Sequence, residues 1–141
     1  MRRSILILLL FAVIFIWNAS IFASEKDLIL DELKALNIEV TGPVAQSEEE
    51  LPLEFNGPFW GLLNNMCRDS GWDLSTYAGK KVLYSNYPIK DKYGNEPLDV
   101  WIISSGDKVI CIYKSVREGS SLAPGLFVVH NPAKDKVKQS Q

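Results

Sequence analysis

The sequence predicts an α+β fold, with two helices packed on one face of a small, mostly antiparallel sheet of three to four strands. Two segments in the first half, around Leu28–Leu36 and Phe59–Cys67, carry apolar residues at helical spacing. The second half instead offers short β-branched and aromatic runs separated by turn residues. Helices followed by strands, rather than alternating with them, favour segregated α+β layers over a parallel sheet. At 141 residues, with no internal repeat, the chain is one domain long.

The first 23 residues differ in composition from the rest. Arg2 and Arg3 precede the apolar run Ile5–Trp17, and small residues follow it up to Ala23. Such a segment enters the translocon while its arginines stay on the cytoplasmic side. It reads as a signal peptide cleaved after Ala23, or as an uncleaved anchor, since Ile5–Ala23 would just span a bilayer core of about 30 Å. No cysteine follows it to take a lipid, and no complete twin-arginine pattern surrounds the arginines. Either way the domain, taken as residues 24–132, is expected outside the cytoplasm, secreted or held at the cell membrane. Residues 133–141 read as a disordered, lysine-bearing tail.

The chain has 15 basic and 17 acidic residues, and two of the basic ones are Arg2 and Arg3. The exported part is therefore acidic and lacks a basic patch, which argues against nucleic acid, whose affinity comes from neutralised phosphates.

Along the domain, Ser24 and Asp27 suit a helix start, Leu28, Ile29, Leu33 and Leu36 mark one face, and Asn37 a stop. Ile38–Thr41 reads as a brief strand ended by Gly42-Pro43. Residues 44–52, with Glu48, Glu49 and Glu50, have no periodicity and read as an exposed linker. In the second helix Phe59, Leu62, Leu63, Met66 and Cys67 form the expected buried stripe, with Asn64, Asn65, Arg68 and Asp69 opposite. Pro58 suits its first turn and Ser70-Gly71 its end, with Trp72 folded back on the last turn. Asp73 can cap a single turn over Leu74–Tyr77, closed by Gly79. Strands follow over Lys81–Tyr87, Leu98–Ile103, Val109–Val116 and Leu126–Val129, with Pro88–Pro97 a polar loop and Ser104–Asp107 a hairpin turn.

The run Pro52-x-Glu54-Phe55, Asn64, then Gly71-Trp72-Asp73-Leu74-Ser75-x-Tyr77-x-Gly79-Lys80, a strand and a Gly-Asp-Lys-Val hairpin resembles a family of small exported domains of Gram-positive spore-forming bacteria. That family is a domain of unknown function. The resemblance covers most of Ser24–Leu126 and implies export and a similar fold, but no activity. Cys67 departs from it, where glutamine is common, as does the strand around Cys111.

An even cysteine count in an exported chain suggests a bridge. Cys67 on the helix and Cys111 in the sheet it covers are reasonably placed for one. The alternative, two buried thiols packed as small apolar groups, is the preferred expectation, because the family resembled uses disulfides sparingly.

Chemistry finds little support. The lone histidine, His130, has no recognisable nucleophile motif near it, so a Cys67/His130 dyad rests only on residue types. The cysteines and histidine lack paired zinc spacing, and Asp91–Glu96 lacks the order of a calcium loop. No metal or cofactor is expected. Trp101, alternating with Val100 and Ile102, reads as core. Trp60 at the stripe margin, with Trp72, Asp73 and Tyr77 around a turn, are the candidate binding residues. The expectation is a non-catalytic binding or regulatory module at the cell envelope, whose partner is an envelope component or an exported or membrane protein. A small hydrolase using an acid pair or Cys67/His130 is the alternative.

Overall fold

The computed structural model describes residues 28–119 and 125–130. The N-terminal segment, the Ser24/Asp27 helix start and the tail 133–141 lie outside the described residues. Among the described residues no helix is long and apolar enough to cross a membrane.

The described part of the first helix, α1, covers residues 28–35. There follow β1 (Ala45–Glu50), α2 (Pro58–Asp69), a 3-10 turn (Ser75–Tyr77), β2 (Lys81–Tyr93), β3 (Glu96–Ser105), β4 (Lys108–Val116) and β5 (Leu126–Val128). The strands form one antiparallel sheet in the order β1-β2-β3-β4-β5. The fold is α+β with an antiparallel sheet, of five strands rather than three to four.

The additional strand is β1, in the stretch expected to be a linker. All six of its residues are exposed, so no buried side chain imposes a period of two on the sequence. Pairing with β2 alone makes it a strand, from Ala45 opposite Asn86 to Glu50 opposite Lys81. The predicted strand Ile38–Thr41 reduces to one bridge, Val40 opposite Ile89. The predicted loop Pro88–Pro97 is mostly strand, because β2 runs through Pro88 to Tyr93 and turns tightly into β3. Its register shifts between Pro88 and Lys92, where proline cannot donate to the ladder.

Residues directly opposite in an antiparallel pair share a face. One face, called front here, carries Val82, Tyr84, Asn86, Asp99, Trp101, Ile103, Cys111, Tyr113 and Ser115, by the registers of β2, β3 and β4. The back face carries Ser85, Tyr87, Val100, Ile102 and Ile112, all buried. Burial reaches both faces, beyond the one-sided packing expected from sequence.

On the front face, α2 is bonded to the sheet by a disulfide between Cys67 and Cys111, with Cα atoms 5.5 Å apart across 44 residues of sequence. The preferred expectation of two free thiols is thereby corrected. Helix and strand positions that both point into one interface bring the sulfurs together. The buried stripe of α2 is also rotated from the expected one. Leu63, Asn64, Met66 and Cys67 are buried, whereas Phe59 and Leu62 are 47% and 52% exposed.

Helix α2 closes as the glycine predicts. Gly71 takes φ +85°, its N–H donates to Arg68 O, and the Trp72 N–H donates to Cys67 O at 2.8 Å. This is the Schellman pattern, and it folds Trp72 into the core at 6% exposure.

Candidate functional site

The front face is divided along the strands. Near Ile103 and Cys111 it is covered by α2. Towards the opposite strand ends it is open, as a groove of about 580 Å³ bounded on one side by Ala45–Ser47 of β1.

Two aromatic residues, Tyr84 and Trp101, line the groove, and buried Tyr113 supports the second. Trp101 and Tyr113, opposite each other on β3 and β4, stack nearly parallel, 5° apart with centroids at 6.2 Å. The Trp101 indole N–H donates to Ser115 Oγ at 2.9 Å, fixing the ring. Tyr84, next to them on β2, is 5% exposed, and its hydroxyl has no hydrogen-bond partner. A buried phenol left unpaired costs roughly 1–3 kcal/mol. Burial first, then the neighbouring Tyr113 and Glu49, raises the Tyr84 hydroxyl above its ordinary range, so it stays a neutral donor.

The polar rim comes from the next outward positions. Arg117 Nε donates to Asp99 Oδ1 at 2.8 Å, and Nη2 to Leu98 O at 3.4 Å. The Asp99 side chain is 13% exposed and the Arg117 side chain 39%, so the pair is half withdrawn from water with Arg117 N–H groups to spare. Asn86 and Glu118 complete this side. An aromatic lining with adaptable amide, carboxylate and guanidinium groups suits binding of a polar ligand with apolar surfaces.

The sequence-predicted binding residues lie elsewhere. Trp72, Asp73 and Tyr77 do come together, lining a smaller hollow of about 280 Å³ with Lys108. Each has a structural role there. Trp72 completes the helix cap. Asp73 accepts the Ser75 hydroxyl at 2.6 Å and its N–H at 3.0 Å, and these bonds hold the Asp73 carboxyl below its usual range. The Tyr77 ring faces Lys80 at 5.1 Å and Lys108 at 6.0 Å. Trp60 is apart from that hollow, edge-on to Phe55 and Phe59.

Catalysis through Cys67 is overturned, because its sulfur is bonded to Cys111 and offers no thiolate. Among the described residues no three His, Cys, Asp or Glu side chains gather as a metal site.

The groove residues were legible as a period-two pattern that sequence reasoning passed over. Tyr84 and Asn86 in β2, Asp99 and Trp101 in β3, and Ser115 and Arg117 at the end of β4 and just past it are polar or aromatic at alternate positions. Comparison of the chain with known families, curated proteins and solved structures returned no match.

Proposed function

We propose that this is a small exported domain of the cell envelope, secreted or anchored by its N-terminal segment, that binds a ligand in the Trp101 groove without transforming it. The observation that carries the reading is Trp101, held by its stack on the buried Tyr113, lining the groove with Tyr84 and the Asp99–Arg117 pair. The Cys67–Cys111 disulfide supports export, since such bonds persist in oxidising compartments. The resemblance of Gly71–Lys80 to small exported domains of Gram-positive spore-formers points the same way.

A hydrolase would take the form of Asp99 with Glu118, both on the groove. Binding is favoured because Asp99 is committed to Arg117 rather than placed to give or take a proton.

The test is NMR titration of the oxidised domain with soluble envelope fragments, glycan and peptide. Shifts gathered on Asn86, Asp99, Trp101 and Ser115, lost in Trp101→Ala and Arg117→Ala, are expected. Fragments that bind with shifts confined to the Trp72–Tyr77 hollow, or that are cleaved, would overturn the assignment.

A further inference from the structure

The groove has an unusual neighbour. Its β1 wall is also the free edge of the sheet, and among the described residues no strand pairs with the outer side of β1. The Leu51 N–H donates straight across to Lys80 O at 3.0 Å, which makes 51 and 80 a hydrogen-bonded pair. By antiparallel alternation Ala45, Ser47 and Glu49 then bond inward to β2. Gln46, Glu48 and Glu50 turn their N–H and C=O groups outward, and every residue of β1 is exposed.

Such an edge invites another strand, and proteins commonly blunt it with charge. Here the charge has one sign, Glu48-Glu49-Glu50. It repels the same edge of a second copy and attracts a cationic strand. Ala45 and Ser47, whose side chains share the front face with Tyr84, are small. A strand added at β1 could therefore lean its own front-facing side chains into the groove.

We propose that the ligand is an extended, lysine-bearing polypeptide segment that adds to β1 as a sixth strand. It pairs with the outward backbone groups of Gln46, Glu48 and Glu50, sets its ammonium groups beside Glu48–Glu50, and directs alternate side chains towards Tyr84 and Trp101. This deepens the groove reading and rests on it for the side-chain pocket. Backbone pairing supplies affinity and the groove supplies selectivity, the division of labour in strand-addition recognition.

The probe is the capped peptide Ac-KVKVKV-NH2, titrated into the oxidised protein and followed by NMR. Expected are slowed amide exchange at Gln46, Glu48 and Glu50 and shifts along β1 and the groove. Methylating alternate peptide nitrogens on the pairing edge keeps the charge but removes donors, and should weaken binding about tenfold or more. The triple variant Glu48→Lys, Glu49→Lys, Glu50→Lys, at exposed positions, should abolish it, with folding checked by circular dichroism.

Equal binding of the methylated peptide would show attraction by charge alone and overturn strand addition, as would full binding by the triple variant. N-acetylglucosamine oligomers form the second arm. If they bind in a Trp101-dependent way and the peptide does not, the groove reading stands and the peptide proposal fails. If the peptide binds at β1 but Trp101→Ala changes neither affinity nor choice of side chain, the edge stands and the groove reading fails.

Discussion

At the scale of single residues, the chain separates groups that serve conformation from groups that lack a conformational reason. Gly71, Trp72 and Asp73 were readable in the sequence because cap and turn chemistry is local. Each meets its partner within a few residues. Tyr84 is different, since alternation with Asn86 marks its face of the strand but its environment is assembled from three strands. Replacing Tyr84 with Phe removes an unpaired buried hydroxyl and keeps the ring. Urea unfolding should show it unchanged or up to about 1 kcal/mol more stable. A loss of more than about 1 kcal/mol would mean the hydroxyl is satisfied in solution.

The phenols also set an alkaline limit. Burial raises Tyr84, Tyr87 and Tyr113 above the ordinary tyrosine value, whereas the unfolded chain ionises them near about pH 10. A raised folded value means their contribution is intact below pH about 10 and is lost as pH climbs towards the folded values. Stability measured from pH 8 to 12 should fall only above about 10, and in a Tyr77→Phe, Tyr93→Phe variant, which leaves only the three buried rings, tyrosinate absorbance should appear together with unfolding. Absorbance that rises while the fold persists would show these rings open to water.

At the scale of elements, legibility followed side-chain burial. The strands Leu98–Ile103 and Val109–Val116 were predicted close to the observed β3 and β4, because hydrophobic side chains fill them. Strand β1 was invisible because none of its side chains is buried, and backbone pairing leaves no trace in composition. The stripe of α2 was misplaced by Phe59 and Leu62, apolar residues that face outward while Asn64 is buried with its Oδ1 unpaired. Helix α2 is tied to β4 by the Cys67–Cys111 bond. Cys67→Ser with Cys111→Ser should cost about 2–4 kcal/mol in chemical unfolding, and reductant should lower the native protein's midpoint similarly. Equal midpoints with and without reductant would mean the thiols are free.

At the scale of the molecule, the α+β class followed from the order of patterns along the chain, whereas the groove did not. It exists only once β1, β2, β3 and β4 are placed side by side, and that assembly is what local periodicity omits. Export also belongs to this scale. Mass spectrometry of the protein recovered from a Gram-positive secretion host should find a mature chain beginning at Ser24, or an intact N-terminus in the membrane fraction. Recovery of an intact chain from the cytosol would refute both.

One irregularity in β3–β4 has a consequence for how the chain finds its native pairing. Ser104 lies opposite Val109 but Ile103 lies opposite Cys111, so Ile110 is an extra residue, a bulge. Without it the ladder would continue with Cys111 opposite Ile102, on the back face, away from α2. The bridge to Cys67 can close only on a hairpin that has taken the bulged pairing. The bond therefore locks the bulged register, because a hairpin slid by one residue would turn the Cys111 sulfur away from Cys67.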